Sequence, residues 1–416
     1  MSSTNVALVM GALWGDEAKG KITDLLAPES DLVIRYAGGN NAGHSLHTPQ
    51  GHFKLNLIPS GILNPSSVNL IAGGCVVDPQ ALIDEIRSLS SRGISVSGLK
   101  VDLDCHLVLP FHREIDRREE LSKGAAKIGT TLRGIGPAQS DRYRRIGLRF
   151  RDVLESSDFE SQWNRLYAFN QSLIQDYYGH ALQVSAEAPC WTSQSLLEDL
   201  KKAVAELRPH LVEGRKLITE ARDQEKRILL EGAQGAFLDL NAGDYPFVTS
   251  SHPGTAGAMI GTGLGPTEIT RVIGVVKAYS TRVGSGPFPS EISGPIADQI
   301  RERGREYGTV TGRPRRIGWL DLALLRQSIR MNGITEIALT LLDVLTDLPE
   351  ILVRDVEAGV EKWIKIQGWN ENLSTIRSRS KLPENAQHYI QLIEEKLSTP
   401  VRIISVGPHR EETILS

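Results

Sequence analysis

Short apolar runs alternate with helical spacings from the start of the chain. Val6 to Met10 is a continuous apolar run closed by Gly11, which predicts a buried strand. Ile22, Leu25 and Leu26 then recur at helical spacing, and Pro28 marks the stop. Leu32 to Tyr36 predicts a second strand, followed by the turn-rich segment Gly38 to His44. Strand, glycine loop, helix and strand in that order open an α/β sheet. From about 152 to 227 the texture shifts to long amphipathic stretches, such as Ser195 to Leu207 and Leu211 to Ala221, which read as a helical insertion. Ile228 to Leu230 restores a buried strand and runs straight into Glu231-Gly232-Ala233-Gln234-Gly235. Further strands are expected at Val272 to Val276, Glu336 to Leu342 and Val401 to Ile404. No repeat or clear linker interrupts the pattern. Residues 1–416 are therefore expected to form one α/β domain with a large, mainly parallel central sheet, flanking helices and the insertion.

Composition narrows the partners. The net charge of 416 residues is only −3, which gives no electrostatic case for nucleic acid or a membrane surface. No apolar stretch reaches the roughly 18 residues a membrane helix needs. Cys75, Cys105 and Cys190 are widely spaced without a C-x-x-C pair, so a reducing, cytoplasmic setting fits better than a disulfide or zinc framework. Small molecules held by local charge are the expected ligands.

The loop between the first strand and the first helix supplies such charge. Gly15-Asp16-Glu17-Ala18-Lys19-Gly20-Lys21 fits G-x-x-x-x-G-K, whose backbone amides converge on phosphate while a lysine neutralises it. This is the opening of a P-loop NTPase-like domain. The usual next residue is Ser or Thr, which ligates Mg²⁺, but here it is Ile22. Asp16 is the nearest hard oxygen and could take that place. Alternatively, Asp16 faces a second substrate and removes a proton.

Several long blocks, in order, resemble adenylosuccinate synthetases. They include Trp14 to Lys21, Gly39 to His44, Ile58 to Leu63, Ile128 to Thr131 with Arg133 to Pro137, and Glu231 to Gly235. Val248 to Ser251, Lys277 to Gly284, Thr311 to Arg313 with Trp319 to Asp321, and Ser405 to Pro408 complete the set. That family joins IMP to L-aspartate while splitting GTP to GDP and phosphate, through a 6-phosphoryl-IMP intermediate, in AMP biosynthesis. The resemblance makes Asp16 both the base that takes the N1 proton of IMP and a ligand of one Mg²⁺, with the Gly43 carbonyl completing the metal's protein ligands. His44 would stabilise charge on the transferring phosphate, Lys19 would hold the γ-phosphate, and Gln234 completes the catalytic set. The implied GTP site comprises Gly15, Glu17, Ala18, Lys19, Gly20, Lys21, Gly43, His44, Ser45, Asp343, Ser405 and Gly407. Asn41, Thr131, Arg145, Gln234, Thr249 and Arg313 would bind IMP, with Arg145 reaching the neighbouring subunit's site in a homodimer. Asn41, Thr311, Arg313 and Arg315 would bind aspartate, where two arginines in a constrained loop can fork onto a dicarboxylate.

Two positions depart from the family pattern. Ala18 stands where the loop usually has Gly, and strain of about 1 kcal/mol follows if that residue needs a positive φ. Leu341, in Thr340-Leu341-Leu342-Asp343, replaces a lysine that packs along the guanine base, whereas Asp343 can still accept from the guanine N1–H and 2-amino group. These departures predict a divergent member with relaxed or altered triphosphate preference. Two other readings stand beside it: the same ligation with ATP or another purine monophosphate, and a catalytically weak nucleotide-binding regulator. Retention of Asp16, Lys19, His44 and both arginines speaks against the last, because a binding module has no use for a base.

Overall fold

A computed structural model describes residues 5–48, 50–124, 127–179, 191–308 and 312–416. Thr311 and Cys190 lie outside these residues. The strand expected first, Val6–Gly11, stands at the centre of a ten-stranded sheet. On one side of it the order is Ile269–Lys277, Glu336–Thr340, Val401–Ser405 and Thr413–Leu415. On the other it is Ile228–Glu231, Leu32–Arg35, Val68–Ile71, Leu99–Asp102 and Leu211–Val212. Every neighbour pair is parallel except the last two strands of the chain. The chain is a single α/β domain with helices flanking this sheet.

Burial of both faces explains why the strands read as unbroken apolar runs rather than alternating ones. Val9, Val33, Leu229, Ile273, Val275, Ala338 and Ile403 share one buried cluster with Ile22 of the helix Lys19–Leu26. Leu8, Met10, Ile34, Leu230, Val276 and Leu339 point the other way, into the largest cluster. Ile22 thus has a packing role: it presses the helix of the phosphate loop onto the sheet.

Two expected elements differ. Leu211–Val212 is an edge strand paired with Val101 and Asp102, and the helix begins only at Gly214. Two apolar residues carry no period of their own, so they read equally as strand or helix. The strand expected to reach Leu342 ends at Thr340, because Leu341 turns into the left-handed region at φ 55°. Parallel pairing sends the loops after Gly11, Arg35, Glu231, Lys277, Thr340 and Ser405 to one edge of the sheet, where ligands of open α/β sheets bind.

Candidate active site

The loop after the first strand is wound tightly. Gly15, Asp16 and Ala18 all have positive φ, at 91°, 64° and 63°. Gly15 is also in close contact: a Cβ there would lie 3.2 Å from the backbone of Gln234. Ala18 is therefore strained at the residue capping the helix Lys19–Leu26. Ala18→Gly is expected to stabilise the fold by about 1 kcal/mol, read as a higher urea midpoint with an unchanged slope.

Glu17 organises this loop from inside. Its buried carboxylate accepts from the amides of Gly15 (2.8 Å) and Leu13 (3.3 Å), and pairs with Lys19 Nζ at 2.8 Å. Its side chain therefore serves the loop's shape. Lys21, expected in the triphosphate site, is held by protein partners. Its buried Nζ donates to Ser405 Oγ (2.7 Å), Gly407 O (2.6 Å) and Glu412 O (3.0 Å). Burial lowers its pKa to about 8 against the pull of Asp343 and Glu412. Lys21 is a strut that ties the phosphate loop to the Ser405–Gly407 loop, because three acceptors from the neighbouring strand end surround it. Asp343 lies near this strut; burial raises its pKa, opposed in part by the Lys21 ammonium.

The segment after the strand Leu32–Arg35 brings in His44, at the head of the strand His44–Thr48. Gly20 allows the close approach: a Cβ there would lie 3.0 Å from His44 Cβ. His44 Nδ1 is hydrogen-bonded to Glu231 Oε1, with Ser60 Oγ at 3.3 Å. Glu231 is fully buried and accepts from the Ser60 amide and hydroxyl, each at 2.7 Å. Burial alone would raise the Glu231 carboxyl, but His44, Arg35 and Ser60 outweigh it and hold the group below its usual range. Burial lowers the His44 pKa, opposed by Glu231. A carboxylate can only accept, so Nδ1 carries a proton, and Nε2 can donate outward only in the protonated ring, the form that the Glu231 carboxylate favours against burial. Glu85 braces the adjacent turn: its carboxylate accepts from the amides of Asn56 (2.8 Å), Leu57 (2.9 Å) and Ile58 (3.3 Å). Ser45 alternates to the exposed face of its strand, away from His44.

Gln234, at φ 54°, places Nε2 3.3 Å from Asn41 Oδ1, and its buried Oε1 has no hydrogen-bond partner among the described residues. The segment carrying Thr131 is fastened from below by two acids on the helix Pro110–Ser122. Asp116 accepts from Thr130 Oγ1 (2.8 Å) and the Gly134 amide (2.9 Å), and Glu120 from the Gly129 amide (2.8 Å). A Cβ on Gly129 would lie 3.5 Å from Arg313 Nη1, so this segment adjoins the paired-arginine loop. Thr249 is partly buried, its amide donating to Leu238 O at 2.8 Å. Arg145 caps the helix Ile135–Arg144 in a left-handed conformation and is exposed. Among the described residues, no side-chain hydrogen bond or ion pair ties Arg145 to these loops.

Arg315 is buried between two acids. Its Nε lies 2.8 Å from Asp16 Oδ2, and its Nη1 donates to Glu306 Oε2 at 2.5 Å. The first contact joins the phosphate loop to the paired-arginine loop. Glu231, Glu306 and Ser60 have roles that sequence reasoning missed. A charge closing a buried apolar run, as Glu231 closes Ile228–Glu231, was the one available signal.

The arrangement offers a partly exposed carboxylate, an oriented imidazole, a lysine at a helix start and a clamped arginine within one loop cluster. A sequence profile of adenylosuccinate synthetases matches residues 8–414. The adenylosuccinate synthetase of Moorella thermoacetica is 45% identical over 426 residues, covering 98% of each chain. That of Halothermothrix orenii is 45% identical over 425 residues, covering 98% of this chain and 97% of its own. The solved structure of fully ligated adenylosuccinate synthetase from Plasmodium falciparum matches with a TM-score of 0.89 at 35% identity, over 99% of this chain and 100% of that one.

Proposed function

The chain belongs to the adenylosuccinate synthetase family, and from that premise we propose how its loops divide the work of a ligase joining IMP to L-aspartate. Asp16 takes the N1 proton of IMP, which puts negative charge on the 6-oxygen and makes it nucleophilic. That oxygen attacks the γ-phosphate of GTP, giving GDP and 6-phosphoryl-IMP. The amine of aspartate then displaces the phosphorylated oxygen as inorganic phosphate. Lys19 leaves Glu17 to hold the γ-phosphate, and His44 Nε2 faces the charge that develops in transfer. The observation that supports this reading is the 2.8 Å contact between Asp16 and Arg315, the two residues to which it gives the proton and the aspartate carboxylate.

Asn41, Thr131, Gln234, Thr249 and Arg313 hold IMP, and Asn41, Thr311, Arg313 and Arg315 hold aspartate. The backbone of Gly15 to Lys21 cradles phosphate, and Asp343, Ser405 and Gly407 meet the base. Magnesium fits the donor chemistry of this loop. Among the described residues no group of three acids or histidines gathers at one point, and Mg²⁺ characteristically takes one or two carboxylates and leaves other positions to phosphates and water. Asp16 and the Gly43 carbonyl would hold it, and when bound it would neutralise triphosphate charge. Arg145, exposed at its helix end, serves the IMP site of a second copy in a homodimer. A cytoplasmic setting suits the buried, unpaired thiols of Cys75 and Cys105.

The test is steady-state turnover of purified protein with IMP and aspartate, varying the triphosphate. Adenylosuccinate should form with GTP, and Leu341→Lys should raise the ratio of kcat/KM for GTP over ATP, because the aliphatic stem of lysine packs along a base. No adenylosuccinate with either triphosphate would overturn the reading. A wild-type GTP preference that Leu341→Lys leaves unchanged would remove the relaxed-preference part of it.

A further inference from the structure

Glu306 has no counterpart among the expected catalytic or binding residues, yet three different side chains converge on it. Its carboxylate is fully buried. Oε1 accepts from Lys277 Nζ at 2.7 Å and from Tyr279 OH at 2.5 Å, and Oε2 accepts from Arg315 Nη1 at 2.5 Å. Lys277 closes the long central strand Ile269–Lys277, so this carboxylate is tied to the sheet. The main chain repeats the link, with the Arg315 amide donating to Glu306 O at 2.8 Å.

The other edge of the Arg315 guanidinium is different. Nε is 2.8 Å from Asp16 Oδ2, but the N–H is not aligned with that oxygen and has no hydrogen-bond acceptor among the described residues. A buried cation is thus gripped from behind while a donor at its front stays unsatisfied, an arrangement that costs free energy until an acceptor arrives. Two cations, Lys277 and Arg315, face two anions, Glu306 and Asp16. If the charge of Glu306 were removed, Lys277 would lose its counter-ion and Arg315 would be drawn wholly onto Asp16.

We propose that Glu306 is a positioning residue for the amine substrate: it fixes the guanidinium of Arg315 so that the unsatisfied edge meets a substrate carboxylate. This rests on the reading that Arg315 binds aspartate. The effect on KM is confined to one substrate, because Glu306 touches neither the phosphate loop nor the IMP-side segments by any described hydrogen bond, and the shift of Arg315 toward Asp16 would act on kcat beside it.

The experiment compares kcat and the three KM values of wild type, Glu306→Gln, Glu306→Asp and Arg315→Leu, with cooperative unfolding measured for each. Losing one partner of a buried charge pair should raise the KM for aspartate in Glu306→Gln by roughly 30-fold, while the KM values for IMP and triphosphate change less than about threefold. Glu306→Asp keeps the charge on a shorter arm and should return the aspartate KM to within about tenfold of wild type. A merely structural role would raise all three KM values together or lower kcat alone, and either result overturns the proposal. If Glu306→Gln does not unfold cooperatively, Glu306→Asp decides: a rise confined to the aspartate KM supports the proposal, and a uniform rise or none overturns it. Arg315→Leu separates the two layers. If it raises the aspartate KM while Glu306→Gln leaves it unchanged, the role of Glu306 alone fails. If Arg315→Leu leaves that KM unchanged, the aspartate site itself is misassigned and the proposal falls with it.

Discussion

Asp16→Asn is expected to lower kcat by about 10³-fold or more while leaving the fold intact, since a positioned general base alone contributes roughly 10²- to 10⁴-fold. The argument begins with the backbone. Asp16 sits at φ 64°, a conformation asparagine tolerates as well as aspartate, so the loop keeps its winding. The amide is nearly isosteric with the acid but has almost no basicity, so it cannot take the N1 proton. It is also a weaker partner for a magnesium ion. The stability cost is small: the Asp16 side chain is about one-third exposed, and Arg315 keeps its pairing with Glu306. Losing a partly exposed ion pair costs about 0 to 1 kcal/mol. The check is kcat with saturating IMP, aspartate and GTP, beside a urea unfolding curve. Turnover within about tenfold of wild type would show that another group takes the proton.

The loop was legible in the sequence because its meaning is local. A strand, a G-x-x-x-x-G-K loop and a helix require one another, and Ile22 already announced that the metal's usual hydroxyl ligand was missing. The buried strands were legible for a similar reason: with both faces covered, Val6–Gly11 and Ile228–Glu231 carry no polar alternation to blur them. What stayed hidden depends on partners far along the chain. Glu231 meets His44 across 187 positions, and nothing in either neighbourhood states the pairing. The motif marks Lys21 for phosphate, and nothing near it announces the acceptors nearly four hundred positions away that hold its ammonium. Ala18 and Leu341 were visible as departures, yet only the backbone angles show that both stand at positive φ, where any side chain is strained. Their consequences differ: at Ala18 the strain falls on the loop expected to cradle phosphate, and at Leu341 it ends a strand and turns the chain toward Asp343.

His44→Ala is expected to lower kcat by about 10²- to 10³-fold, the range for removing one donor aimed at developing charge. It should also destabilise the protein, and the two effects have separate causes. Glu231 is fully buried, and after the change only Ser60 would hydrogen-bond the oxygen that His44 now shares. An under-satisfied buried carboxylate costs about 1 to 3 kcal/mol. Glu231→Gln removes the charge while its amide oxygen can still accept from Nδ1, so that single change should lower kcat by only about tenfold, through looser orientation of the ring. The double variant separates the causes. With no buried charge left uncompensated, it should unfold at a higher urea midpoint than His44→Ala alone, yet remain as inactive. A double variant less stable than His44→Ala would mean that Glu231 is not held as the anion. Recovery of turnover alongside stability would mean that the activity lost in His44→Ala came from damage to the fold rather than from the missing imidazole.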